Sequence, residues 1–241
     1  MELSNSRQVT LDLERLAGLG LVTQEGGRTA VAEDFRAIKR PLLRTARAAT
    51  NPNSNLIVVT SALPGEGKTY CAVNLAMSIA MEMDITVLLV DADVARPSVL
   101  KVLGLPPGPG LMDVLLGEQA DLSDVILKTN IRTLSVVPAG RADKHATELL
   151  ASRSMSRLLA DIAGRYADRI VIFDSPPLLL TTEASVLAAH MGQVVMVVEA
   201  EHTTQHAVKD ALQRIQHCPN VNLIYNKSRA TADAKYYGYY D

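Results

Sequence analysis

A short apolar run, Leu56-Ile57-Val58-Val59-Thr60, leads into the turn Ser61-Ala62-Leu63-Pro64-Gly65-Glu66-Gly67-Lys68-Thr69, which opens onto a helical pattern from Tyr70 to Ala80. A strand apolar at nearly every position must be covered on both faces. A glycine-rich turn between such a strand and a helix gathers backbone N–H groups and the positive end of the helix dipole at one point. With Lys-Thr at its end, this is the arrangement of a phosphate-binding P-loop. Lys68 is expected to reach the β- and γ-phosphates and the Thr69 hydroxyl to bind Mg²⁺. Pro64, Gly65, Glu66, Gly67, Lys68, Thr69 and Tyr70 are the expected nucleotide contacts. Ala62 stands where the pattern usually has its first glycine, and it is small enough for the place.

From Leu56 onward, apolar runs alternate with helical patterns. The strands are expected at 56–60, 85–90, 133–137, 169–173, 193–198 and 221–225, and the helices near 68–82, 111–117, 147–166, 181–190 and 204–216. Runs such as Ile85 to Val90 and Val194 to Val198 are nearly continuous in apolar residues, the pattern of parallel strands buried on both sides. The βαβ alternation predicts an α/β fold: a doubly wound, mainly parallel sheet with helices on both faces and ligands at the C-terminal ends of the strands. Residues 1–30 read as a mixed extension broken by Gly18, Gly20, Gly26 and Gly27, with Leu11, Leu13, Leu16 and Leu19 docking a short helix. A helix follows from about Val31 to Ala49, and Pro41 predicts a kink or a division within it. Asn51 to Asn55 is a turn cluster. The domain itself is read as 31–227, and the tail as 228–241.

With 241 residues, 48% of them hydrophobic, the chain suits one large domain. A net charge of −2 provides no basic field for nucleic acid or an anionic membrane. Cys71 and Cys218 lie far apart in neither a metal nor a redox spacing, which suits a reducing cytoplasm. No apolar run approaches the roughly 18 residues of a membrane span, and the N-terminus has no apolar signal core, so a soluble protein is expected. His202 and His206 stand four apart without a third ligand, and are read as a solvated helix start rather than a zinc site.

Two further strands end in carboxylates. Asp91 and Asp93 follow Leu88-Leu89-Val90, and Asp174 follows Ile170 to Phe173. In a parallel sheet these ends lie beside the P-loop. Mg²⁺ uses few protein carboxylates and keeps waters. Asp174 is expected on the metal. Asp91 and Asp93 offer one more metal contact and one general base, with Asp91 the candidate base and Asp93 the metal ligand, or the reverse. A single Asp at a strand end is more often a cap; three at a P-loop edge point to chemistry.

Asp91-Ala92-Asp93 with Arg96-Pro97, and Asp174-Ser175-Pro176-Pro177, resemble the second Walker A-type motif and the Walker B motif of bacterial tyrosine kinases. These are P-loop autokinases that control exopolysaccharide synthesis and are related to septum-site and partition ATPases. The resemblance covers about residues 31–241 and is nearest to the free-standing autokinases of exosortase-linked exopolysaccharide loci. Glu33, Arg36 and Lys39 are similar to the family's Glu-x-x-Arg-x-x-Arg oligomerisation motif, with Lys in the third place. Ala95 stands where the family usually has a basic residue. Asn226 matches an adenine-contacting asparagine. Four of the seven tyrosines, Tyr236, Tyr237, Tyr239 and Tyr240, crowd the last six positions and correspond to the family's phosphorylated cluster. The resemblance implies an ATP- and Mg²⁺-dependent protein-tyrosine autokinase, a homo-oligomeric ring, and peripheral association with the inner membrane through the cytoplasmic segment of a chain-length-determining membrane protein. The competing reading is a partition or septum-site ATPase. Those relatives carry a second lysine at the start of the P-loop, which Ser61-Ala62-Leu63 does not supply.

Overall fold

The computed structural model describes residues 7–48, 53–165 and 168–229. Its strands are Arg7–Gln8 (β1), Leu56–Ser61 (β2), Thr86–Asp91 (β3), Leu127–Lys128 (β4), Leu134–Val137 (β5), Arg169–Asp174 (β6), Gln193–Glu199 (β7) and Val221–Asn226 (β8). The helices are Leu13–Gly18 (α1), Ala30–Arg47 (α2), Lys68–Ala80 (α3), Val99–Leu103 (α4), Leu111–Leu115 (α5), Ala146–Leu150 (α6), Arg153–Arg165 (α7), Glu183–Ala188 (α8) and Gln205–Arg214 (α9). The strands form one sheet in the order β1-β4-β5-β3-β6-β2-β7-β8. Every pairing is parallel except β4 with β5.

The two-residue period of the strands sorts their side chains into two cores. Ile57, Val59, Val87, Leu89, Ile170, Ile172, Val195 and Val197 pack with α2, α3 and α4. Leu56, Val58, Leu88, Val90, Val171, Phe173, Val194 and Met196 pack with α6 to α9. The expected doubly wound sheet is therefore present. β2 lies between β6 and β7, and β3 lies beside β6 in a register that sets Asp91 opposite Asp174. The P-loop thus emerges next to both acidic strand ends.

Several local expectations differ from what is found: Leu19, expected to dock with the N-terminal helix, is exposed, and α4 is an additional helix. α2 runs unbroken through Pro41. The carbonyl that Pro41 leaves without a helical donor is that of Ala37, and both residues are exposed, so water can take the place of the missing N–H. The helix expected over 147–166 is divided into α6 and α7, because the Ser152 hydroxyl accepts the Met155 N–H at 3.1 Å and starts a new helix. The strands β1 and β4 were not foreseen. Each is two residues long, too short to show a period. Through them the N-terminal segment joins the sheet edge, and Leu11, Leu16, Leu21 and Val22 are buried in the first core.

Candidate nucleotide and metal site

The P-loop turns through two glycines in the left-handed region, Gly65 at φ +88° and Gly67 at φ +95°. At Gly67 the positive φ favours glycine, and an added Cβ would also stand 2.2 Å from Asn226 Nδ2 and force that side chain to move. α3 begins at Lys68 and points its N-terminus into the turn. Lys68 Nζ donates to Asp93 Oδ2 at 2.7 Å and lies 4.0 Å from Asp174 Oδ1. The Thr69 hydroxyl donates to Asp174 Oδ2 at 2.6 Å. Ser98, which the sequence did not single out, has its hydroxyl 2.8 Å from that of Thr69.

The three carboxylates occupy different situations. Asp174 is fully buried, and among the described residues its Oδ1 has no hydrogen-bond partner. Burial pushes its pKa up to about 7, against the opposing pull of Lys68 and Thr69. Asp91 is buried too, and its carboxylate is committed to backbone. Oδ2 accepts the Ser98 and Val99 N–H groups, each at 3.0 Å, and Oδ1 accepts the Asp93 N–H at 3.2 Å. Desolvation raises its pKa to about 6, with those backbone bonds opposing. Asp93 presents Oδ2 to Lys68, while its Oδ1 accepts the Arg96 N–H at 3.1 Å. Asp91 therefore folds the segment that carries Asp93, and Asp93 faces the P-loop lysine.

This donor set fits Mg²⁺. A hydroxyl (Thr69) and a fully desolvated carboxylate oxygen (Asp174) adjoin a cradle of backbone N–H groups, and a Mg²⁺ ion held there would need only phosphate and water besides. Among the described residues no three His, Cys, Asp or Glu side chains form an all-protein cage. His206 pairs with Asp210 at 3.4 Å, which accords with a solvated helix start.

Several of the expected contact residues have side chains engaged within the chain. The Glu66 carboxylate turns inward: Oε2 accepts the Leu63 N–H at 2.6 Å, and Oε1 accepts the Glu199 N–H and the Thr203 hydroxyl. The Tyr70 hydroxyl donates to the Gly20 carbonyl at 2.7 Å, with its ring edge-on to Phe35. Asn226 Nδ2 donates to the Glu66 carbonyl at 2.8 Å. Of the oligomerisation set, Glu33 and Arg36 form an exposed ion pair. Lys39 is 4% exposed and is spent inside the chain, donating to the Ser78 carbonyl at 2.6 Å and pairing with Glu82 at 2.8 Å. That leaves Glu33 and Arg36 as the members of the set that a neighbour could reach. Tyr236, Tyr237, Tyr239 and Tyr240 lie outside the described residues.

The AAA domain family matches residues 54–227. The VpsO kinase domain superimposes with a TM-score of 0.64 at 30% identity, covering 78% of this chain and 98% of that one. The chain belongs to the AAA-domain family, among the bacterial tyrosine kinases. Within this family the chimerical protein CapA2B2 gives a TM-score of 0.73 at 28% identity over 88% of this chain and 97% of the other. Tyrosine-protein kinase YwqD of Bacillus subtilis is 29% identical over 211 residues, 87% of this chain and 86% of YwqD. EpsB of Ralstonia nicotianae is 33% identical over 177 residues, 73% of this chain. Succinoglycan biosynthesis transport protein ExoP of Rhizobium meliloti is 30% identical over 233 residues, 94% of this chain. The chain spans only 23% of EpsB and 28% of ExoP. Among the described residues no helix is long and apolar enough to cross a membrane.

Proposed function

We propose that this kinase-family chain transfers the γ-phosphoryl group of ATP to tyrosine, with Tyr236, Tyr237, Tyr239 and Tyr240 of a neighbouring copy as acceptors. The observation that carries the proposal is the convergence of Lys68, Asp93, Thr69 and Asp174 on one P-loop. The loop's N–H groups and Lys68 bind the triphosphate and offset the charge that develops on it during transfer. Thr69 and Asp174 would hold Mg²⁺, which would supply charge neutralisation for the triphosphate. A tyrosine near pKa 10 must lose its proton as it attacks. Asp93 suits this task better than Asp91. Phosphates draw Lys68 away and free Asp93 Oδ2, whereas both oxygens of Asp91 are engaged by backbone N–H groups.

The exopolysaccharide link rests on the family resemblance and on the similarity to ExoP, a succinoglycan biosynthesis transport protein. Assembly through Glu33 and Arg36, and activation by the cytoplasmic segment of a membrane partner, belong to the same proposal. The test is to incubate the purified chain with ATP and Mg²⁺, with and without candidate partner peptide, and map phosphotyrosine by mass spectrometry. ATP hydrolysis without phosphotyrosine under both conditions would replace this reading with that of a nucleotide-switched ATPase.

A further inference from the structure

The carbonyls of the P-loop, and not only its N–H groups, are held. Lys227 Nζ donates to the Gly65 carbonyl at 2.7 Å, and Asn226 Nδ2 donates to the Glu66 carbonyl at 2.8 Å. A trans peptide unit is planar, with its C=O and N–H pointing opposite ways. Anchoring the Gly65 carbonyl therefore aims the Glu66 N–H away from Lys227. Anchoring the Glu66 carbonyl aims the Gly67 N–H away from Asn226. Two of the amides that would meet phosphate are thus oriented from behind by the end of β8.

The anchors are themselves fastened. Lys227 pairs with Glu199 Oε2 at 3.1 Å. The Glu199 N–H and the Thr203 hydroxyl donate to the carboxylate of Glu66, and the Ala200 N–H donates to the Asn226 carbonyl at 2.8 Å. These contacts close a ring around Gly65 and Glu66, built from the loop after β7 and the exit of β8. Lys227 also holds φ +58°, a conformation that costs a non-glycine residue free energy and persists only where its surroundings impose it.

We propose that Lys227, with Glu66, Glu199 and Thr203, forms a clamp that pre-orients the P-loop amides for the phosphates, making Lys227 a positioning residue for nucleotide. The idea takes the phosphate-binding loop as its ground and needs the kinase reading only for its effect on transfer. Preorganised donors bind charge without reorganising, so loss of the clamp weakens nucleotide binding.

The test compares Lys227→Asn, Lys227→Arg and Thr203→Val with the parent chain. Asparagine tolerates the left-handed backbone but lacks the reach; arginine keeps the cation. Fluorescent Mg·ADP titration gives affinity, melting without nucleotide gives stability, and phosphotyrosine formation gives KM and kcat for ATP. The expected result is about a tenfold loss of Mg·ADP affinity in Lys227→Asn. A smaller loss is expected in Thr203→Val, recovery in Lys227→Arg, and an unchanged melting temperature without nucleotide. KM for ATP rises more than kcat falls. Unchanged affinity in both Lys227→Asn and Thr203→Val overturns the clamp. Equal loss in Lys227→Asn and Lys227→Arg, accompanied by lower melting temperatures, overturns it as well, because Lys227 would then serve the fold at large. A parent chain that binds Mg·ADP but forms no phosphotyrosine refutes the kinase reading and leaves the clamp testable by titration alone.

Discussion

Asp174 carries a cost that can be measured without nucleotide. Its carboxyl is fully buried and its pKa rises from 3.8 to about 7, chiefly by desolvation. Because the folded-state pKa lies above the unfolded one, the folded protein holds a proton that the unfolded chain has released between those values. Stability must fall as pH rises from about 4 to 7 and then level off. At 1.36 kcal/mol per unit, a shift of about three units is worth ~4 kcal/mol above pH 7. Relaxation and water entry reduce such ideal figures, so about half is the realistic yield. Asp174→Asn removes the charge while keeping an acceptor for Thr69. In EDTA, without nucleotide, the variant should melt near the parent's temperature at pH 4 and about 4–8 °C above it at pH 8. Mg²⁺ with nucleotide should stabilise the parent and fail to stabilise the variant, which should also lose phosphoryl transfer. Calorimetric or fluorescence melts across that pH range decide it. A gap of equal size at pH 4 and pH 8, or a less stable variant at pH 8, would refute the claim that Asp174 bears a desolvated charge awaiting a cation.

Asp91→Asn should lose about 1–2 kcal/mol of stability, because an amide nitrogen cannot accept the backbone N–H groups that the carboxylate now takes, as urea melts would reveal. Asp93→Asn should fold nearly as well and yet lose transfer by roughly a factor of 100 or more, measured as phosphotyrosine per unit time; the reverse ranking would return the base to Asp91. Lys39→Met should cost ~2–3 kcal/mol by stranding the Ser78 carbonyl and Glu82, whose pKa Lys39 lowers, while Arg36→Ala on the exposed face should alter stability by under about 0.5 kcal/mol and act instead on association, seen by light scattering. Lys68→Met should abolish autophosphorylation while remaining folded. Its unmodified tail should leave it in large oligomers where phosphorylated parent, bearing about −1.5 to −2 charges per phosphotyrosine, runs as monomer. Equal masses by light scattering with the partner segment present would end the idea of a tail-driven switch.

The sequence alone determined the parts whose physics is local. Strand β2, the glycine turn and helix α3 follow from a continuous apolar run, two residues able to take positive φ, and a helix opening at Lys68, all within neighbours along the chain. The six longer strands are legible for the same reason, and a parallel sheet then obliges Asp91 and Asp174 to end beside the loop. The tertiary structure decided how each polar group is spent. Asp91 and Asp93 are two residues apart and chemically alike. Only the path of Ser98 and Val99 gives one to backbone N–H groups, and only the position of Lys68 claims the other. Glu66 meets Thr203, Asn226 meets Glu66, and Lys39 meets Ser78 across distant stretches of chain that no local pattern encodes. A buried polar side chain must find a partner wherever the fold places one. Its role is therefore set by packing after the chain has closed, while the strands, the turn and the helix that carry it are set by the order of its neighbours.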